Sequence, residues 1–173
     1  MPLRIVCLGK TREAWIKQGI AEYRKRLEPH WKIRWVELKD VSLAVAGSRE
    51  KVKEQEAAVL MKALEPSDYV IALDEKGSSM DSVAFSKLLE ELLAHKEIVF
   101  VIGGVYGLDS LILQRADRIL SFSAFTFPHE LIRLLLIEQL YRARTISSGK
   151  TYHYYKEILM NTAVQQSLLI MLQ

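Results

Sequence analysis

The sequence predicts an α/β protein with a mostly parallel sheet and helices on both faces. Three observations carry that expectation. Residues 3–8, 69–73 and 98–102 are short runs that are apolar almost throughout, as strands buried on both faces must be. Longer stretches between them repeat apolar residues at close to 3.6 spacing. The two kinds of segment alternate, which is the pattern of strands joined by crossover helices.

Taken in order, residues 3–8 form a first strand that ends at Gly9-Lys10. Residues 11–27 read as a helix, with Trp15, Ile16, Ile20, Tyr23 and Leu27 on one side and Pro29 as the stop. Residues 33–38 alternate as a second strand. Residues 48–64 form a charged helix closed by Pro66. The strand at 69–73 opens into the Asp74-Glu75-Lys76-Gly77 turn, and Asp81 caps a helix over 81–93. Residues 98–102 form the most strand-like run and end in Gly103-Gly104. A short helix over 108–116 and a strand over 118–123 follow. Pro128 opens a long helix over 129–146, and Ser147-Ser148-Gly149 is a turn. No internal repeat, low-complexity stretch or linker breaks the chain. We expect one domain over 1–157 and an apolar, helical extension over 158–173.

Bulk properties narrow the function. With 173 residues, 50% hydrophobic and 26% charged, the chain can bury a full core as an ordinary globular protein. A single cysteine, Cys7, lies inside an apolar run, so a disulfide framework is excluded and a cytoplasmic setting is expected. The first ten residues are too short and too soon broken for a signal peptide. No apolar run approaches the roughly 18 residues that span a bilayer. Four scattered histidines without ligand spacing argue against a metal site. Net charge is only +3, yet residues 1–40 hold ten Lys/Arg against five Asp/Glu, while residues 41–128 hold nine against thirteen. Lys10, Arg12, Lys17, Arg24, Lys25 and Arg26 form a candidate phosphate-facing surface, with a solvated helix face as the plain alternative.

Two stretches stand out as chemistry. Residues 100–109, FVIGGVYGLD, end a strand in a glycine loop, and residues 121–143 end a second strand in Thr126-Phe127-Pro128-His129 before a helix. Loops leaving neighbouring strands at one sheet edge are where α/β proteins hold small ligands. Gly103-Gly104-x-x-Gly107 is not a dinucleotide fingerprint and no P-loop occurs, which removes the support for a nicotinamide or kinase reading and for a nucleotide-binding regulatory module. Glycines there offer backbone groups to a flat ligand. Glu138 and Arg142 lie four apart on one helix face, where a simple ion pair is as good an account as a functional role. Arg133 and Arg144 add fixed cations to that helix. Tyr152-His153-Tyr154-Tyr155 sets aromatics beside an imidazole and next to Lys150 and Lys156, a composition suited to unstacked bases and phosphates.

Four ordered motifs, IALDEKG at 71–77, FVIGGVYGL at 100–108, SFSAFTFPHELIRLLLIEQLYRA at 121–143 and YH at 152–153, together with the opening RIVCLGK, resemble the ribosomal large-subunit pseudouridine N3-methyltransferases of the SPOUT superfamily. The resemblance covers roughly residues 1–157. It implies a C-terminal trefoil knot, which connection rules alone would exclude, a homodimer with the active site near the subunit interface, and S-adenosyl-L-methionine as cofactor. It implies a pseudouridine in helix 69 of 23S rRNA, in the assembled ribosome, as substrate. By position, Leu73, Gly103, Gly104 and the run Ser123, Ala124, Phe125, Thr126, Phe127, Pro128 fall on the cofactor loops. Glu138, Arg142, Tyr152 and His153 fall on the catalytic, substrate-side positions. Two departures mark this chain: Val105-Tyr106, where small or acidic residues are commoner, and the extension beyond the Tyr-His pair. The alternative is a non-catalytic RNA- or ribosome-binding protein on the same fold.

Overall fold

A computed structural model describes residues 2–149 of the chain; Tyr152, His153 and the extension at 158–173 lie outside the described residues. Five strands, β1 (Pro2–Leu8), β2 (Lys32–Leu38), β3 (Tyr69–Ser78), β4 (Ile98–Ile102) and β5 (Arg118–Leu120), form one sheet in the order β2-β1-β4-β3-β5. Every pairing in it is parallel. The helices are α1 (Ala14–Leu27), α2 (Leu43–Ala46), α3 (Arg49–Lys62), α4 (Ser82–Leu93), α5 (Ser110–Arg115) and α6 (His129–Ser147).

Alternation along each buried strand divides the core in two. Leu3, Ile5 and Cys7 of β1, with Ile98, Phe100 and Ile102 of β4, face α1, α4 and α6. Val6, Leu8, Val99 and Val101 face α3 and α5 on the other side. Strands β1, β3 and β4 are thus apolar on both faces, which is why they read as continuous runs. The lower ends of three strands are clipped by Arg4, which pairs with Asp68 and, at 3.0 Å, with Glu97.

Four local readings change. The first helix begins at Ala14 because Thr11 donates through its N–H (3.2 Å) and Oγ1 (3.1 Å) to the Glu37 carboxylate instead of entering a helical turn. The Asp74–Gly77 stretch is not a free turn: β3 runs on to Ser78, shifting register between Leu73 and Ser78 so that it rejoins β5 at Leu120. Gly77 permits this, since a Cβ there would stand 2.8 Å from the Ile119 and Leu120 backbone. Strand β5 stops at Leu120 because the next residues turn on their own side chains: Ser121 Oγ donates to the Ser123 carbonyl (2.9 Å), and Phe125 N–H donates to Ser123 Oγ (3.1 Å). A short helix, α2, precedes α3 and ends at Gly47 with φ 85°. As expected, Asp81 caps α4, its carboxylate accepting from Ala84 N–H at 2.7 Å.

Connections leaving β1 and β3 pass to the α1/α4/α6 face, whereas the one leaving β4, which lies between them, passes to the α3/α5 face. Crevices therefore open on both sides of β4 at its C-terminal end.

Candidate functional site

Ile102 and Leu120 end their strands on either side of Leu73 of β3, in register with it. Past them the chain forms the wall of a cleft of about 900 Å³, a size suited to a nucleoside-sized ligand. Of the cofactor candidates, Leu73, Gly103, Gly104, Ser123, Phe125, Thr126, Phe127 and Pro128 all line it. Ala124 sits in the same loop, exposed, and is not part of the wall.

The glycine loop is shaped by close approach. Gly107, at φ +78°, donates its N–H to the Gly104 carbonyl at 3.2 Å. A Cβ on Gly103 would come within 2.9 Å of the Gly107 carbonyl carbon, and one on Gly104 within 2.7 Å of Glu56 Oε2. The cleft wall at this point is main chain, able to donate and accept hydrogen bonds without intervening side chains. Facing it, Phe125 is 79% exposed and Phe127 37%. These two rings offer an apolar surface at the cleft mouth.

Sequence reasoning left several lining residues unassigned. Arg49 and Lys53 reach the cleft from α3, and the Arg49 guanidinium lies over the Tyr106 ring, 5.5 Å from its centroid. Tyr106, bulky where small residues are commoner, is thus held at the edge of the cleft. His129, the first residue of α6, lines the wall, and burial, then the Arg133 cation, hold its pKa below the usual histidine value. Glu56 is buried behind Gly104. A signal for Glu56 existed: Val52, Glu56 and Leu60 fall at i, i+4 and i+8, so a carboxylate occupies a core-facing position of α3.

Arg133 proves structural. Wholly buried, it donates to the carbonyls of Leu8 (2.5 Å) and Gly9 (3.0 Å) and to Thr11 Oγ1 (2.9 Å), fixing α6 to the end of β1. Glu130 beside it accepts from the N–H groups of Arg12 (2.8 Å) and Glu13 (3.2 Å), serving the start of α1.

Glu138 and Arg142 are paired: Arg142 donates to Glu138 Oε1 through Nη2 at 2.7 Å and Nε at 3.1 Å. Neither lines the cleft. Arg142 lies thirteen residues beyond His129 on α6, about 20 Å along the axis at 1.5 Å per residue. Within the described residues the fold assembles the cofactor candidates and leaves this pair apart from them. Tyr152 and His153 lie outside the described residues.

A family model described as "Predicted SPOUT methyltransferase" matches residues 1–153. The chain belongs to the SPOUT methyltransferase family. Curated relatives include a protein of Trichlorobacter lovleyi, 42% identical over 159 residues, covering 89% of this chain and 100% of that protein. Another is from Carboxydothermus hydrogenoformans, 42% identical, covering 88% of this chain and 99% of that one. Both are named "Ribosomal RNA large subunit methyltransferase H". Among solved structures, the "Probable Methyltransferase from Bordetella pertussis Tohama I" aligns with TM-score 0.52 at 15% identity, covering 82% of this chain and 93% of that one. That likeness bears on the fold alone. No helix among the described residues is long and apolar enough to cross a membrane.

Proposed function

We propose that this SPOUT methyltransferase transfers a methyl group from S-adenosyl-L-methionine to N3 of a pseudouridine in helix 69 of 23S rRNA, acting on the assembled ribosome in the cytoplasm. The observation that carries the reading is the cleft at the ends of β3, β4 and β5, walled by the residues that match the family's cofactor loops in a chain whose relatives bear a ribosomal RNA methyltransferase name. The fit of the cofactor rests on the Gly103-Gly104 backbone, held against Gly107 and Glu56 too closely for a Cβ at either residue.

When bound, S-adenosyl-L-methionine supplies a sulfonium-activated, electrophilic methyl group. Leu73, the glycine backbone and residues 123–128 hold and orient it. N3 of a pseudouridine carries an imino proton and attacks only once that proton is leaving. His153 has the intrinsic pKa to accept it near neutral pH. Arg142, steadied by Glu138, supports the negative charge that develops on the base, and Tyr152 stacks on the extruded base. The distance between Arg142 and the cleft along α6 is met in a homodimer, with a second copy supplying Glu138, Arg142, Tyr152 and His153 to the cleft of the first. The trefoil knot belongs to the same reading, as does a basic rRNA-contacting surface built from Lys10, Arg12, Lys17, Arg24, Lys25 and Arg26.

Transfer of labelled methyl from S-adenosyl-L-methionine to ribosomes, run beside naked rRNA, tests the assignment. Methylated N3-pseudouridine in helix 69 is the expected product. Cofactor and ribosome binding with no transfer would replace the enzyme with a non-catalytic ribosome-binding protein. Arg142→Ala and His153→Ala should each lose most transfer, a hundredfold or more on the order of general acid–base effects, while calorimetry still finds cofactor binding. Equal loss of cofactor affinity in both variants would overturn the division of roles.

A further inference from the structure

Glu56 of α3 is 4% exposed and touches two loops at once. Its Oε1 accepts from Val41 N–H at 3.2 Å, in the connection between β2 and α2. Its carboxyl group also lies broadside against Gly104. A Cβ on that glycine would stand 2.7 Å from Oε2, 2.9 Å from Oε1 and 3.1 Å from the carboxyl carbon. The main-chain wall of the cleft at Gly104 is therefore backed by this one carboxyl group, which ties it to the loop at Val41.

Glu56 Oε2 is buried and has no hydrogen-bond partner. A neutral acid tolerates that position at modest cost, whereas an ionised one is a buried charge without a counter-charge. The titratable groups facing it from other elements are Asp40 after β2, Tyr106 of the glycine loop and His129 of α6, while Arg49 and Lys53 of its own helix line the main cleft instead. Desolvation raises the pKa of the carboxyl, with Asp40 adding to the effect. These groups surround a chamber of about 150 Å³ in the second crevice beside β4, with Glu56 and Gly104 both in its wall. Such a space holds several waters. An ionised Glu56 thus has a route to solvent: it turns from behind Gly104 into the chamber. That turn removes the backing of Gly104 and the hold on Val41 together.

We infer that Glu56 is a positioning residue for the glycine loop: neutral, it props Gly104 in the cleft wall, and ionised, it leaves for the chamber and lets that wall give way. The effect on the loop stands on the geometry of this chain. The effect on the methyl donor rests on the reading above, in which the cleft holds that donor. Glu56 is neutral below its folded pKa, so the cleft takes its ligand best there. Affinity falls as pH rises through that value.

Two measurements on the full-length protein test this, each comparing wild type with Glu56→Gln from pH 4 upward. Glu56→Gln keeps the shape of the side chain and cannot ionise. In hydrogen exchange without ligand, the amides of residues 103–108 should match at the acid end and exchange progressively faster in wild type as pH rises. The comparison at each pH cancels the intrinsic pH dependence of exchange. In calorimetry with S-adenosyl-L-homocysteine, wild-type affinity should fall relative to Glu56→Gln by up to about tenfold per pH unit above the folded pKa, the limit for one linked proton. Glu56→Ala removes the prop and should bind weakly at every pH, while Glu56→Gln restores acid-end affinity. Thermal unfolding at each pH confirms that the variants are folded. Wild type and Glu56→Gln that track each other in both measurements would overturn the inference, as would a Glu56→Gln as weak as Glu56→Ala throughout. A wild type that binds no S-adenosyl-L-homocysteine at any pH would overturn the donor reading, and the exchange comparison alone then decides the role of Glu56.

Discussion

Cys7 and Glu56 show what burial does to a single ionisable side chain. Cys7 is wholly buried in β1, and desolvation pushes its thiol up to about 11. The thiolate is the reactive form, so a thiol reagent at neutral pH should fail to label the folded protein over hours and should label it within minutes once urea unfolds it; prompt labelling of the native state would contradict this burial. Glu56 leaves a signature in stability. Its folded pKa lies above its unfolded value, with desolvation as the main cause and Asp40 facing it. The contribution is therefore fully present below the unfolded value near 4.5 and is lost as pH rises through the folded pKa. Chemical denaturation of wild type against Glu56→Gln, followed from pH 4 upward, should show the wild type losing stability relative to the variant across that window. Parallel curves would remove the carboxyl's role. That this position is core-facing could be read from its i, i+4, i+8 spacing with Val52 and Leu60. Its proximity to Gly104 could not, because the two residues are brought together only by the packing of α3 behind β4.

At the scale of elements, local patterns carry as far as the chain's short-range physics does. The apolar runs at β1, β3 and β4 gave strands because their faces are both buried, and Asp81 gave a helix start because its carboxylate finds a free N–H. Two of the misplaced boundaries share one cause: a partner distant in sequence. Glu37 draws Thr11 out of α1, and β5 draws the 74–78 stretch into extended pairing. Gly77 is the residue on which that second pairing depends. Gly77→Val places atoms against the Ile119 and Leu120 backbone, where even a Cβ would stand at 2.8 Å. It should cost about 1–3 kcal/mol as an overpacked site, read as a lower urea midpoint. Because Leu73, where the register shift begins, and Leu120, which faces it from β5, line the cleft, ligand affinity should fall with it. A variant as stable as wild type would show that the strand can rejoin β5 by another path.

Over the whole molecule, the cofactor candidates converge although they come from three separate strand ends. A strand-and-helix reading placed those ends at one sheet edge, so the cleft was legible. The separation of Glu138 and Arg142 from it was not, since helical spacing shows which residues share a face but not what that face meets. The long-range tie is Arg133. Arg133→Met retains bulk and removes the guanidinium, leaving the Leu8 and Gly9 carbonyls and Thr11 Oγ1 without their donor. It should destabilise the fold by about 3 kcal/mol or more, the range for stripping one partner from a buried polar network. A shift in thermal midpoint below a degree would contradict that role.

The same contact has a consequence for how the chain is made. The carbonyls of Leu8 and Gly9 leave a translating ribosome some 125 residues before the guanidinium that satisfies them. Strand β1 also waits for β4, its central neighbour, which is made only after β2 and β3. At about 5–20 residues per second, the earliest strand spends several seconds or more with its edge and its end unanswered. Completion of α6 is therefore the event that satisfies the end of β1, and a chain stalled before β4 also carries an open strand edge of the kind that recruits chaperones or neighbouring chains.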